Sequence, residues 1–552
     1  MQAVLRTMEK LEQGKRAYLF LLVLGLLFLA PGLQQLPPTD RDEARFAQAS
    51  KQMLETGNFI DIRLQDEPRY KKPIGIYWLQ AASVKLSGQS LNQIAAYRIP
   101  SLLGGLATIL LCAYFGSRFF ERRVGLLAGV LIASCLLLGV EARLAKTDAS
   151  LLAFILLMQG CLGLIYQERQ THPHGRWPLL FGFWLACGGA ILIKGPPAPV
   201  IAGLTIASLA LVDRSLALVR AIRPLPGLLT LAIMVLPWLI AIQLASEGEF
   251  LQKALMGDFL AKIGSGQESH GAPPGYYLLL FPVLFWPGSL LAVRYAGQLW
   301  ARRSEDVVRF LWAWILPAWL VFELVPTKLP HYILPFFPPL ALLTAAGLSQ
   351  PQARSRPTSK RRQLYPWLAT GLWLLVSLLL GLALPLLPLW VKAFQLWHLL
   401  PLLGGFLCLH AAWRIFRQHP PLACLPVLVL GALLVLPIIF SAILPQVDLA
   451  WPSRQVARLL ENQPPGTLVA VGYREPSLAF LIGTKTRMTG VEDAIKLLAS
   501  EDYRYLLLEE RDKQGFEQLA PGRLAQLKLL NSFDSYNYSK GRKLRLELYA
   551  KE

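Results

Sequence analysis

Long uninterrupted apolar runs constrain this chain more than any other feature. Residues 17–30 read AYLFLLVLGLLFLA and residues 366–390 read PWLATGLWLLVSLLLGLALPLLPLW. A helix needs roughly 20 apolar residues to cross the hydrocarbon core of a bilayer. In that core only a structure that satisfies its own backbone polar groups is stable. Such runs recur near 17–35, 96–117, 123–140, 149–166, 178–193, 196–212, 226–244, 275–296, 307–325, 331–348, 366–390, 396–413 and 421–444, thirteen in all. Composition agrees: 54% of the 552 residues are hydrophobic and 16% are charged, against about a quarter charged in soluble domains. The chain reads as a polytopic α-helical membrane protein with about 13 transmembrane helices. Its N-terminus is basic and then apolar, without a small-residue cleavage site, which reads as a retained signal anchor. Residues 74–87, IGIYWLQAASVKLS, are too short to span and are expected to form an interfacial helix.

The net charge of +20 does not indicate nucleic acid, because the basic residues are not gathered in one patch with interleaved aromatics. They lie in short loops, as membrane orientation requires. One alternating set holds Lys10/Lys15/Arg16, Arg118/Arg122/Arg123, Arg169/Arg176, Arg214/Arg220/Arg223, Arg302/Arg303, Arg354/Arg356/Lys360/Arg361/Arg362 and Arg414/Arg417. This set is expected in the cytoplasm. The other set, two long loops at 36–95 and 245–274 and short ones at 141–148, 194–195, 326–330 and 391–395, then lies outside. An odd number of spans puts the tail outside as well. Across 451–552 the apolar stretches shorten to TLVAVGY, SLAFLIG, RYLLLEE and KLRLELYA, with helix-like polar segments between them. The expected organisation is a transmembrane domain over 1–450 and a small outer α/β domain over 451–552. The six cysteines all lie in or beside apolar segments and imply no disulfide framework.

The outer loops carry the reactive residue types. From Arg41 to Glu55 the first loop reads as a helix, capped by Thr39 or Asp40 and ended by Gly57. Asp42 and Glu43 occupy its first turn, and Arg45 shares a face with Asp42. Carboxylates there also suit the helix dipole and a capping box, so a purely structural role is open. Lys72 follows in RYKKPIGIYW, Asp148 in EARLAKTD, Lys194 in ILIKGPPAPV, and His270 in a Gly-Pro-rich stretch. Lys328, His331 and Tyr332 cluster in PTKLPHYILP. Each has its own structural alternative: a snorkelling lysine, a helix cap, a hinge, a polar loop residue, an aromatic belt. Their conjunction is more informative, because the topology sets all six loops on one face. Carboxylates, several cations and a Tyr at one membrane surface suit a phosphate-bearing lipid and a group transfer. His270 has no second histidine or cysteine near it, so no metal site is expected.

These residues also carry a resemblance. DRDEARFAQ in the first outer loop, then KKPIGIYW, KTD at 146–148, KGP at 194–196 and LPHYILP, in that order, resemble the GT-C glycosyltransferases of the protein O-mannosyltransferase superfamily. Among them the chain looks most like the bacterial 4-amino-4-deoxy-L-arabinose transferases that modify lipid A. The resemblance implies a GT-C fold and an inverting glycosyltransferase at the periplasmic face of the inner membrane. Its donor would be undecaprenyl phosphate aminoarabinose and its acceptor a phosphate of lipid A, a change that in the family confers resistance to cationic antimicrobial peptides such as polymyxin. Asp42 would be the essential carboxylate, with Asp148 sharing its work. Glu43, Arg45, Lys72, Lys194, His270, Lys328, His331 and Tyr332 would bind substrate, with Arg45, Lys72 and Tyr332 at the donor phosphate. No cofactor and no metal are expected. Some relatives carry an acidic residue where this chain has Lys71. Two other readings compete: the same fold acting on a protein hydroxyl or another glycolipid, and a transporter of polyprenyl-linked lipids. Transporters usually show internal repeats and midplane charges, and this sequence shows neither.

Overall fold

The structure, a computed structural model, describes residues 14–39, 41–254, 271–350, 364–390, 394–500 and 502–551. In chain order its helices include α1 (Lys15–Leu29), α2 (Asp42–Thr56), α3 (Gly75–Ser87), α4 (Ile94–Phe119), α5 (Arg122–Ala133), α6 (Leu136–Glu141) and α7 (Asp148–Glu168). Next come α8 (Trp177–Lys194), α9 (Pro197–Asp213), α10 (Pro224–Ala245), α11 (Tyr276–Leu284), α12 (Ser289–Ala301) and α13 (Asp306–Leu324). A 3₁₀ turn over Pro330–Phe336 runs into α14 (Phe337–Leu348), and α15 (Leu364–Leu389), α16 (Leu396–Phe416) and α17 (Pro421–Gln446) complete the bundle. Among the described residues nine of these helical segments are long and apolar enough to cross a membrane. This is a multi-pass membrane protein.

The other four apolar runs are helical too, but two are short and two are broken. Helices α1 and α9 have 15 and 17 residues. The run at 123–140 breaks at Ser134 and Cys135, where the Ser134 hydroxyl donates back to the Val130 carbonyl at 3.0 Å and competes with the helical ladder. The run at 275–296 breaks before α12, where Pro287 has no N–H to continue the helix. The two breaks satisfy each other: the Leu136 N–H donates to the Trp286 carbonyl at 2.9 Å. Irregular backbone at membrane depth survives only where protein covers it.

Two glycines set the approaches that bring the outer loops together. A Cβ on Gly104 of α4 would lie 2.6 Å from Ser150 Cα, so α4 and the start of α7 touch backbone to backbone. A Cβ on Gly75 of α3 would lie 2.7 Å from the Leu192 carbonyl, so the start of α3 lies against the end of α8.

The C-terminal domain is a five-stranded mixed sheet of β3 (Thr467–Val471), β4 (Arg487–Thr489), β5 (Tyr503–Glu509), β6 (Lys528–Asn537) and β7 (Arg542–Ala550), in the order β4-β3-β5-β7-β6. A short hairpin in the first loop supplies β1 (Arg63–Leu64) and β2 (Glu67–Pro68). Strand β3 pairs in parallel with β4 and β5, and β7 pairs antiparallel with β5 and β6. Leu468, Ala470 and Leu507 face one core, while Val469, Leu506 and Leu508 face the other. Burial on both faces explains their unbroken apolar runs. Of the four apolar stretches, SLAFLIG is a helix, α18 (Pro476–Ile482). Pro476 sits in its first turn, where a missing N–H costs nothing.

Replacing Gly104 by Val should lower the unfolding midpoint in detergent, at a cost of about 1–3 kcal/mol from overpacking. Gly203→Val, where a Cβ would meet nothing within 4 Å, should leave the midpoint unchanged.

Candidate active site

Helix α2 forms much as its sequence predicts, with Gly57 closing it in the left-handed region at φ 71°. Its start differs from expectation. The N-cap residue is Arg41 and no side chain caps the helix; Asp40 lies outside the described residues. Instead Glu43 reaches back. Its Oε2 accepts from the Thr39 N–H at 2.8 Å and from the Thr39 hydroxyl at 2.9 Å. Its Oε1 accepts from Arg98 Nε at 2.7 Å and from the Ala145 N–H at 2.8 Å. Arg98 also donates to Glu43 Oε2 at 3.0 Å and uses its other N–H groups on the carbonyls of Leu33, Leu36 and Pro37. Both partners are fully buried. This corrects the reading of Glu43 as a substrate ligand: all its lone pairs are spent inside the protein. Burial works to raise the Glu43 carboxyl, but Arg98 and the hydrogen bonds from Thr39 and Ala145 outweigh it and hold it below its ordinary value.

The Glu43–Ala145 bond ties α2 to the turn between α6 and α7, and that turn holds the centre of the site. Lys146 Nζ lies 3.0 Å from Glu141 and 4.0 Å from Asp148. Lys194, at the end of α8, donates to Asp148. His331 sits between the two carboxylates, 3.8 Å from Glu141 and 3.8 Å from Asp148. Lys194 also lies 5.4 Å from the centre of the Tyr332 ring. On the other side of α8, Pro73 approaches Gly195, which brings the segment carrying Lys72 beside Lys194. Lys72 Nζ donates to the Lys71 carbonyl at 2.8 Å.

Asp42 stands at the rim. Its side chain is 54% exposed and lies 3.8 Å from Arg45. Partial burial works to raise its carboxyl, but Lys146, Arg69, His331 and Arg45 together hold it below the ordinary carboxylate value. Burial likewise works against the charge of Lys146, yet Glu141 and Asp148 beside it raise its pKa above that of an ordinary lysine. At neutral pH the site therefore carries an ionised Asp42 facing a set of fixed cations.

Six of the residues picked from sequence thus lie within one connected cluster or at its edge: Asp42, Arg45, Asp148, Lys194, His331 and Tyr332. Lys72 is carried alongside. Lys328 is a correction. It is 3% exposed, and its ammonium donates to the carbonyls of Ala272 and Val325 at 2.6 and 2.8 Å. It pins the return of the second outer loop, because a buried ammonium must find acceptors. His270 lies outside the described residues. Three members escaped the sequence reading. Glu141 and Lys146 sit five residues apart in EARLAKTD, and two opposite charges at the mouth of a span are themselves a signal. Arg69 is buried over the Phe46 ring at 5.0 Å and acts on Asp42; nothing in its local sequence separates it from its basic neighbours.

Glu141, Asp148 and His331 bring potential metal-ligand atoms within 4.8 Å of one another. Lys146 and Lys194 lie beside the two carboxylates.

The fold and the sequence have counterparts in known proteins. Residues 71–240 match the family model described as dolichyl-phosphate-mannose-protein mannosyltransferase. The crystal structure of ArnT from Cupriavidus metallidurans bound to undecaprenyl phosphate superposes with a TM-score of 0.72 at 17% identity, covering 97% of this chain and 98% of that one. This chain has a GT-C fold. The apo form of the same Cupriavidus protein gives 0.73 at 18% identity. In sequence the GT-C chain is similar to the undecaprenyl phosphate-α-4-amino-4-deoxy-L-arabinose arabinosyl transferases. It is 30% identical to that of Aeromonas salmonicida over 325 residues, 58% of each chain. It is 30% identical to that of Erwinia tasmaniensis over 339 residues, 61% of this chain and 60% of the relative. The chain thus spans about three fifths of the length of the curated relatives it matches.

Replacing Glu43 by Ala leaves Arg98 buried without its counter-charge. It should destabilise the GT-C bundle by about 3–5 kcal/mol, seen as a lower unfolding midpoint. The contribution of Glu43 should be present in full above its ordinary value of 4.5 and fade only as pH falls through its depressed folded pKa. Asp42→Asn removes only an exposed pair and should shift the midpoint little, by at most about 1 kcal/mol.

Proposed function

We propose that this protein transfers 4-amino-4-deoxy-L-arabinose from undecaprenyl phosphate to a phosphate of lipid A, at the periplasmic face of the inner membrane. The observation that carries the reading is the cluster itself. An exposed carboxylate lies with several fixed cations, and Asp148 and Lys194 stand at the ends of apolar helices, in a chain similar to transferases of that sugar. The apolar helices suit the isoprenoid tail of the donor, and the cations of the cluster suit its phosphate.

In the proposed mechanism Lys72, Lys194 and Tyr332 hold the donor phosphate. As the bond from the anomeric carbon to the phosphate oxygen breaks, negative charge grows on the phosphate, and prepositioned cations stabilise it without needing to reorganise. The acceptor oxygen attacks from the opposite face, so a single displacement inverts the anomeric carbon. Asp148 holds Lys194 in place and is neutralised by it. That leaves Asp42, more exposed and facing the rim, to orient the acceptor or the sugar. A lipid A phosphate is already ionised near neutral pH, so little proton removal is asked of Asp42. A protein hydroxyl would need a base, and such an acceptor is the alternative that the match to the mannosyltransferase family favours.

Mass spectrometry of lipid A from cells with and without the gene should find the added amino sugar only with it. Unmodified lipid A in both would refute the reading. In a reconstituted assay Asp42→Asn should cut transfer about 100-fold or more, while Lys72→Ala should raise the KM for donor. Because its neighbours hold Asp42 below its ordinary 3.8, transfer should show no Asp42-dependent fall as pH drops from 8 to about 5. An acid limb within that interval that disappears in Asp42→Asn would contradict the assignment.

A further inference from the structure

Helix α2 has two sides with different neighbours. Its first turn presents Asp42 and Arg45 to the cluster. Further along, Gln48, Lys51 and Glu55 fall on one face at helical spacing, and this polar face is buried at Gln48 and Lys51 while Glu55 stays exposed. What covers it is the C-terminal domain, at the turn between α18 and β4. Gln48 Nε2 donates to the Thr484 hydroxyl at 2.8 Å, and that hydroxyl donates to Glu55 at 2.7 Å. Lys51 is 2% exposed. Its ammonium donates to the Phe480 carbonyl at 3.0 Å and to Asn92 at 2.6 Å, 3.8 Å from Glu55. The loop after α2 joins in: Gln65 donates to the carbonyls of Thr484, at 3.0 Å, and of Thr486, and Arg487 pairs with Asp66. The Phe480 ring meets Tyr97 of α4 edge-on at 5.3 Å.

Buried polar groups call for hydrogen-bond partners. Gln48, Lys51 and the partly buried Gln65 each find one in a domain more than 400 residues away along the chain, and Asn92 also accepts from Lys51. A greasy interface would hold the two parts together without fixing register; hydrogen bonds with direction fix it. Thr484 is the node, since its one hydroxyl both accepts from Gln48 and donates to Glu55 while its carbonyl takes Gln65.

We propose that Thr484 is a positioning residue: the C-terminal domain acts as an outer clamp on α2 and sets the placement of Asp42 in the site. The proposal rests on the reading of Asp42 as the carboxylate that orients the acceptor or the sugar, and it gives the C-terminal domain a role toward the enzyme's own helix rather than toward the acceptor.

The test uses the full-length protein. Thr484→Val keeps the shape and removes the hydroxyl, and Thr484→Ser restores it. Thr484→Val should lower kcat about 10- to 100-fold, the cost of a misplaced catalytic group, with the donor KM nearly unchanged. Thr484→Ser should recover most of the rate, and Gln65→Leu should act in the same direction as Thr484→Val. A second readout needs no turnover. In an Asp42→Cys background all six native cysteines are buried, so labelling by a charged, membrane-impermeant maleimide reports on position 42. Adding Thr484→Val should quicken that labelling as α2 loosens, and adding Thr484→Ser should not. Unchanged kcat and unchanged labelling in Thr484→Val would overturn the clamp. A wild type that transfers no aminoarabinose, alongside labelling that still quickens, would keep the clamp and refute the assigned reaction.

Discussion

The candidate site depends on one buried ion pair. Glu43 and Arg98 are both closed to solvent and 2.7 Å apart. Burying two charges costs several kcal/mol each unless every lone pair and proton finds a partner. Here every one does, and the partners are what matter: the carbonyls of residues 33–37, the start of α2, and the backbone of Ala145. A second buried guanidinium continues the pattern. Arg143 donates to the carbonyls of Phe28, Pro31 and Gly139 and lies over the Phe440 ring at 4.5 Å. The two arginines together grip the stretch from the end of α1 to the start of α2. Asp42, one residue from Glu43, takes its place from that grip.

Around this frame the chain gathers cations where a lipid phosphate would arrive. Positive groups repel one another, so they stay together only because carboxylates are threaded between them: Glu141 beside Lys146, Asp148 beside Lys194, Asp42 beside Arg45. The arrangement alternates in sign. In the proposed transfer, charge growing on a leaving phosphate would be met by groups already fixed, the largest lever such a reaction has.

Much of this was legible in the sequence. Apolar runs and loop charges located the helices, because lipid forbids unsatisfied backbone and leaves little choice of fold. Asp42, Asp148, Lys194, His331 and Tyr332 were visible as polar residues at one face. What the sequence hid depends on partners distant along the chain. Glu43 and Asp42 are adjacent and alike in type, and only the position of Arg98, 55 residues on, separates a buried structural carboxylate from an exposed one. Lys328 reads like Lys72 until the carbonyls of Ala272 and Val325 are found around it. The breaks at Ser134 and before α12 were hidden for the same reason, since each is tolerated only because the other is there. The 3₁₀ turn that carries His331 and Tyr332 could be suspected from its prolines but not placed.

The central claim is that separated outer loops converge into one phosphate-holding pocket at the membrane surface. The most direct measurement is a cryo-EM structure of the full-length protein with undecaprenyl phosphate in lipid nanodiscs. The account predicts density for the phosphate within hydrogen-bond reach of Lys72 and Lys194, beside the Tyr332 ring, with Asp42 facing the same space. A phosphate bound at the opposite membrane face, or Lys72 and Tyr332 lining separate cavities, would contradict it.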